Sequence, residues 1–292
     1  MMKLIYDCDN TIGLHGKDVD DGLTLLYLYQ QSNIDILGVT LTYGNGTVQE
    51  VKEQTEQLCS LFSLDVDTYV GKGKDDSDVS VSMAAKFLVK MVKKYPHQIV
   101  VLATGSMANL YEAYKIEPSF FKLLKKVVIM GGRFEEMFIN SIPIGELNLS
   151  IAPEAAHAVI TSEIPMTIVS GQYISGALLG RDDLHMLDND GSKRFKWLSG
   201  VILDWMQYTE DNWSVPGFIN WDTITALSLT EPDQFEFEDV YLSSSVEGLK
   251  TGLMEKKQNG NQKVEILTSI KDLSHLNNIV LKTLNNYFIE GN

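Results

Sequence analysis

From Lys3 to Val169, short apolar runs alternate with stretches whose apolar residues recur at helical spacing. Lys3–Tyr6, Ile36–Leu41, Thr68–Val70, Gln98–Ala103, Val127–Met130 and Met166–Val169 read as strands, and Gly22–Gln30, Val48–Phe62, Met83–Lys94 and Met107–Ala113 read as helices between them. Such alternation predicts βαβ units and an α/β fold: a mostly parallel, open, Rossmann-like sheet buried under helices on its faces. After about residue 185 the pattern lengthens into helices at Arg194–Trp213 and Trp221–Leu229. The alternating "FEFEDVYL" and the later "KVEIL" then read as antiparallel strands, and Lys271–Phe288 as a closing helix. There is no internal repeat, low-complexity tract or Pro/Gly/Ser-rich linker, so one domain over residues 1–292 is expected. "GKGKDDSDVSVS", Gly71–Ser82, reads as a mobile loop.

Composition adds exclusions. A net charge of −15, from 24 basic and 39 acidic residues, is the opposite of the basic footprint that a phosphate backbone or anionic membrane requires, so neither is expected as a partner. Two cysteines, Cys8 and Cys59, cannot make a disulfide framework. The chain enters a strand-like "MKLIYD" without an apolar leader, and no window approaches the roughly 18 apolar residues of a membrane span. A cytoplasmic protein is expected.

In an open parallel sheet, ligands sit beyond the carboxyl ends of the strands at a topological switch point. The residues able to do chemistry fall at those ends: Asp7 and Asp9 after the first strand, Asn45 after the second, the segment 104–109 after "IVVLA", and Gly131 after "VVIM". The opening stretch "IYDCDNTIGLHGKDVDD" allows two chemistries. Asp7, Asp9 and Thr11 spell D-x-D-x-T, which resembles the haloacid-dehalogenase-like superfamily and would make Asp7 the nucleophile of a magnesium phosphatase. That pattern also needs a later acidic pair after a strand, and "GRDDL" at Gly180–Leu184 has no strand leading directly into it. Alternatively, Asp9, Asp18, Asp20 and Asp21 supply the hard oxygens of a metal cage.

The second chemistry is carried by a set of ordered motifs. "DCDNTIGLHGKDVDD" resembles the D-x-D, glycine loop and D-D of the inosine-uridine-preferring nucleoside hydrolase family, with a loop longer than that family's usual spacing. "GVTLTYGN", "TGSMANL", "VIMGG", "NSIPIGELN" and "NWDTITAL" then match further family segments in order. The resemblance implies hydrolysis of the N-ribosidic bond of ribonucleosides with a bound Ca2+. It implies Asp9, Asp21, Asp222 and the carbonyl of Ala108 as metal ligands, Asp9 also as general base, and Asp20 holding the ribose hydroxyls. It further implies Asn45 as a functional asparagine, Asn148 on the ribose 3′ side, Glu146 and Asn140 on the 5′-hydroxyl, Met130 lining the sugar, and a homodimer or homotetramer. The chemistry is coherent, because an oxocarbenium-like ribose needs an activated water on one face and a stabilised leaving base on the other. Taken singly, the same residues have plainer readings: Asp20 and Asp21 as helix-capping acids, Asn45 as a turn residue, Glu146 as surface charge. Asp7, Asp18, Cys8 and Cys59 read as structural, Asp7 as a support behind the metal, and Thr11 and Thr104 as turn residues.

Two departures bear on base choice. The family's active-site histidine is replaced by Trp221, which resembles the purine-preferring branch, where the base is activated by stacking; core packing is the alternative reading of this residue. The Gly71–Ser82 loop has neither the histidine nor the tryptophan of some relatives. His15, in the long loop, is the nearest candidate donor in sequence and reads as a surface residue. Ala152, in place of a common aspartate, reads as a change of helix cap. A hydrolase fold that binds nucleosides without turnover is the remaining alternative.

Overall fold

The computed structural model describes residues 1–76, 80–187, 191–260 and 262–289. In chain order the first half contains β1 (Met2–Cys8), α1 (Asp20–Tyr29), β2 (Ile34–Leu41), α2 (Val48–Phe62), β3 (Thr68–Val70), α3 (Met83–Lys94), β4 (Ile99–Ala103), α4 (Ala108–Ile116), α5 (Phe120–Leu123) and β5 (Lys126–Met130). A hairpin of β6 (Met137–Ile139) and β7 (Ile142–Ile144) follows, then α6 (Pro153–Ile160), β8 (Met166–Val169), α7 (Gly171–Ile174) and β9 (Leu178–Gly180). The remainder is α8 (Lys193–Trp213), β10 (Gly217–Ile219), α9 (Trp221–Thr230), β11 (Phe235–Ser243), α10 (Val246–Leu249), β12 (Glu255–Lys256), β13 (Gln262–Ile270) and α11 (Leu273–Ile289).

Nine strands form one sheet in the order β12-β11-β13-β8-β5-β4-β1-β2-β3. Every pairing from β13 to β3 is parallel, and β11 runs antiparallel to β13 and β12. The fold is therefore the mostly parallel, helix-flanked α/β sheet expected from the sequence. Its central strands are apolar on both faces because both are covered. Leu4, Tyr6, Cys8, Val100 and Leu102 join the apolar cluster with α1, α2, α8, α9 and α11, while Ile5, Ile99, Val101 and Ala103 join the cluster with α3, α4 and α6. Both cysteines are free. Among the described residues no helix is long and apolar enough to cross a membrane.

Several expectations are corrected in detail. "KVEIL" pairs antiparallel with β11 but parallel with β8, so it welds the C-terminal strands onto the main sheet. Helix α1 starts at Asp20, two residues before the predicted start, so both aspartates lie in its first turn. A short strand, β9, does lead into the "GRDDL" segment. Of the loop expected to be mobile, residues 77–79 lie outside the described residues. The feature that positions the site is the chain's path: it runs outward from β1 through β2 to β3, then returns to the other side of β1 as β4. The switch point thus lies between the carboxyl ends of β1 and β4, where a crevice must open.

Candidate active site

Asp9 follows the end of β1, and its Oδ2 accepts a hydrogen bond from the backbone N–H of Asn45. The loop after β2 can close over that carboxylate only because residue 44 is glycine: a Cβ there would stand 1.9 Å from Asp9 Oδ2. Asp20 and Asp21 sit in the first turn of α1, whose N-terminus meets that of α9. Asp20 Oδ2 accepts from the backbone N–H of Asp222 at 3.2 Å, and the hydroxyls of Thr24 and Thr223 pair at 3.1 Å beneath them. The capping role thus exists, but Asp20 caps α9 rather than its own helix. Asp21 Oδ1 accepts from Tyr6 at 2.8 Å and from the Thr104 hydroxyl at 2.6 Å. Asp9, Asp20, Asp21 and Asp222 are all buried.

Each of these carboxylates retains its proton to unusually high pH. Burial, then the charge of Asp18, pushes Asp9 up to about 7. Burial and mutual repulsion hold Asp20, Asp21 and Asp222 well above the ordinary carboxylate range. Asp9 Oδ1, Asp20 Oδ1 and Asp21 Oδ2 are buried without a hydrogen-bond partner among the described residues. Unpartnered buried oxygens are costly and uncommon, and these three, on Asp9 just after β1 and on Asp20 and Asp21 at the start of α1, suit something positive or hydrogen-donating.

The crevice opens into a cavity of about 410 Å³, a size suited to a small ligand. Its acidic floor includes Asp18, Asp20 and Asp222; Asn45, Thr104 and Asn148 flank it. The remaining wall is largely apolar and aromatic, with Met130, Met137, Ile139, Ile144, Trp213 and Trp221. Asn148 Nδ2 is spent on the carbonyls of Thr104 (2.7 Å) and Met130 (3.2 Å), so what it offers a ligand is Oδ1, an acceptor. Trp221 is half-buried: it packs on the core and also lines the cavity.

Residues 4–276 match the family model described as inosine-uridine preferring nucleoside hydrolase. The chain belongs to that family. Uridine nucleosidase 1 of Arabidopsis thaliana is 28% identical over 278 residues, which span 86% of this chain and 80% of the relative. The solved structure of a plant nucleoside hydrolase matches with a TM-score of 0.84 at 20% identity, over 97% of this chain and 99% of its own. A purine-preferring ribonucleoside hydrolase from Gardnerella vaginalis matches with a TM-score of 0.83 at 20% identity, over 98% of each chain. The protein is thus a nucleoside hydrolase, and the phosphatase chemistry suggested by D-x-D-x-T gives way. The physical reason is visible at Asp7: its carboxylate is buried beneath β2 and α4, where Oδ2 accepts from Thr40 and Asn109. Asp183 of "GRDDL" caps its own turn by accepting from the Gly180 N–H.

The structure places two of the expected site residues, Ala108 and Asn140, outside the cavity lining, and Glu146 within it. Ala108 is the first residue of α4 and borders a different cavity with Tyr43 and Glu112, so its carbonyl points along the helix rather than into the carboxylate cluster. The backbone oxygen at the cluster is that of Thr104, the residue directly after β4; its N–H is fixed by the Asp7 carbonyl at 2.9 Å and its hydroxyl by Asp21. Asn140 occupies the left-handed turn of the β6–β7 hairpin (φ 46°) and donates to the carbonyls of Trp213 and Ser214, outside the cavity lining. Glu146 borders the cavity, but its carboxylate accepts from the backbone N–H groups of Gly132, Leu149 and Ser150. His15 is an exposed loop residue paired with Asp204 of α8. Ala152 precedes α6 with no side-chain cap, as expected.

Sequence reasoning undervalued Asp18 and overlooked Trp213. Asp18 sits on the long loop, accepts from Thr11 at 3.1 Å and from the Asn45 side chain, and is raised to about 6 by burial. Trp213 reaches the cavity from the last residue of α8. As a metal centre the site has hard oxygen donors, unpartnered and buried, which is the donor chemistry that calcium takes. Among the described residues, however, no three such side chains close on one point as a ready-made cage. The donor chemistry nevertheless fits a hard cation.

Proposed function

We propose that this hydrolase cleaves ribonucleosides into ribose and free base with Ca2+ seated among Asp9, Asp21, Asp222 and the Thr104 carbonyl, and that it favours purine bases. The observation that carries the proposal is a cavity with Asp18, Asp20 and Asp222 on one side and an apolar, aromatic wall on the other, with the buried, partnerless oxygens of Asp9, Asp20 and Asp21 on the elements that end there. When bound, the cation would lower the pKa of water and draw in the ribose diol. Asp9 accepts the proton of the attacking water at Oδ1, and the water oxygen bonds to C1′ as the base departs with its electron pair. Asp20, whose Oδ2 is held by the Asp222 amide, offers Oδ1 to a ribose hydroxyl, and Asn45 and Asn148 offer amide oxygens beside it. Trp221 lies against the base. Reducing-sugar release from a panel of ribonucleosides, with chelator and with added calcium, tests the whole reading. No release with calcium present would leave a binding protein.

Two outcomes follow from the residue roles. Inosine should be cleaved at least ~100-fold faster than 2′-deoxyinosine, because the deoxy compound leaves a buried acceptor without its donor at the step where contacts must be strongest. Comparable rates would displace Asp20 from the diol. For base choice, kcat/KM for inosine over uridine should exceed one and fall in Trp221→Ala. Stacking contributes on the order of 0.5–2 kcal/mol and gains more from a bicyclic ring, a several-fold to roughly thirtyfold preference. A ratio unchanged by the substitution would reduce Trp221 to packing.

A further inference from the structure

We propose that Asp18 is a positioning residue of this hydrolase: it holds the Asn45 side chain so that only the amide oxygen is left for the ribose, and the long loop between β1 and α1 delivers it to that place. The inference rests on the placement of Asn45 beside the ribose proposed above.

The loop is anchored along its length. Asn10 donates to the Thr55 hydroxyl of α2 at 3.1 Å, and its side-chain oxygen accepts from the Ile12 N–H at 3.1 Å. Ile12 is fully buried against α1, where it fits only because residue 22 is glycine: a Cβ there would stand 2.7 Å from Ile12 Cγ2. Two successive turns, with the Leu14 N–H on the Thr11 carbonyl at 3.0 Å and the Lys17 N–H on the Leu14 carbonyl at 3.2 Å, carry the chain back to the crevice. Between them His15 meets Asp204 and Gly16 meets Tyr208, both on α8. Lys17 and Asp18 thereby arrive beside Asn45.

Asn45 is held at every polar group but one. Its N–H donates to Asp9 Oδ2, its carbonyl accepts from Lys17 Nζ at 2.6 Å, and its side-chain amide donates to the Asp18 carboxylate. Asp18 is fixed in turn by the Thr11 hydroxyl, 3.1 Å from its Oδ1, and Thr11 is wedged against Gly46, where a Cβ would stand 2.9 Å from the Thr11 methyl. The two ends of an amide are nearly the same size, so without an anchor either one can turn to a ligand. With the nitrogen engaged by Asp18, the end left for the cavity that Asn45 and Asp18 both line is Oδ1, an acceptor for a sugar hydroxyl. A carboxylate that serves only to accept from an amide can be replaced by another acceptor of the same shape, whereas one that acts through its charge cannot.

The test measures kcat/KM of the calcium-loaded full chain for inosine and uridine in Asp18→Ala, Asp18→Asn, Asn45→Ala and the double variant Asp18→Ala/Asn45→Ala. Asp18→Ala should lower the value about fivefold or more, equally for both substrates, because Asn45 serves the sugar and not the base. Asp18→Asn keeps an acceptor without the charge and should stay within about twofold of the wild type, and Asp18→Ala should cost less than about twofold once Asn45 is already alanine. An asparagine variant as impaired as the alanine variant, additive losses in the double variant, a loss that differs between the two bases, or no loss at all overturns the inference. Asp18 would then act by its charge, by holding the loop, or not at all. Release of no base by the wild type would instead fault the proposed hydrolysis. The same four variants are then compared by equilibrium binding of inosine, as they are if Asn45→Ala is too slow to assay, with the same limits; a wild type that does not bind inosine overturns both readings.

Discussion

Asp9→Asn should lower kcat by about 10³-fold or more at saturating calcium while changing substrate Kd less than about tenfold, and should raise the melting temperature of the metal-free protein. Loss of a general base alone is worth ~10²–10⁴ in rate. The substitution is close to isosteric, and an amide oxygen can keep the bond from the Asn45 N–H that Asp9 Oδ2 now accepts, so the loop over Gly44 stays closed. What the amide cannot do is accept a proton. It also removes one of several buried, mutually repelling carboxylates, which is why stability should rise as activity falls. Single-turnover rates on bound inosine, with thermal melts in parallel, read both effects. Equal loss of kcat and affinity, or a variant that is both inactive and less stable, would mean that Asp9 is a scaffold rather than the base.

This pairing of lost activity with gained stability follows from where the aspartates lie. Asp20, Asp21 and Asp222 occupy the first turns of two helices whose N-termini meet, so both macrodipoles favour negative charge at the crevice, yet burial keeps the carboxylates reluctant to ionise. The fold therefore holds the charges close without neutralising them. A cation and a polyol completing the cluster is the economical resolution of that tension.

How much of this the sequence discloses depends on the range of the determining interaction. The central strands are legible because "IVVLA" and "MTIV" are covered on both faces, a condition that composition alone reports. Asp9, Asp20, Asp21 and Asp222 could be named from the order of their motifs, and the structure gathers them. The choice between Thr104 and Ala108 could not be made that way. Both lie in one short segment after β4, and which carbonyl remains available depends on the residue at which α4 begins, a matter of one turn that sequence patterns do not resolve. The direction of Asn140 is set by a left-handed hairpin turn that aims its side chain at the end of α8, and Trp213 reaches the cavity only because the tertiary path brings the end of that helix to it, neither of which sequence spacing reports. Asp18 belongs to an extended loop whose seat against α8, marked by His15 with Asp204 and by Gly16 against Tyr208, is a long-range contact.

Removal of divalent cations should abolish turnover and leave a protein whose stability falls as the pH rises from about 4 to about 7. Asp7 and Asp9 are raised from 3.8 to about 7 in the folded chain and Asp18 to about 6, chiefly by burial, and Asp20, Asp21 and Asp222 are raised well above 3.8. Between those limits the native state holds protons that the unfolded state has already released. Stability therefore declines with increasing pH, the reverse of the usual salt-bridged carboxylate. At ~1.4 kcal/mol per pH unit, one group carried across about three units has a ceiling of ~4 kcal/mol, and structural relaxation around the charge reduces it. A few kcal/mol is enough to move Tm by ~5 °C or more in a chain of this length. Calcium reverses the balance: at about 1,000 times its Kd it adds ~4 kcal/mol, and it does so more effectively at pH 8 than at pH 5, where protons must first be displaced. Thermal melts from pH 5 to 8, with EDTA and with calcium, read this directly. A metal-free Tm that stays level or climbs toward pH 8, or one that calcium leaves unmoved, would mean that these carboxylates are satisfied without a cation and that the metal centre lies elsewhere.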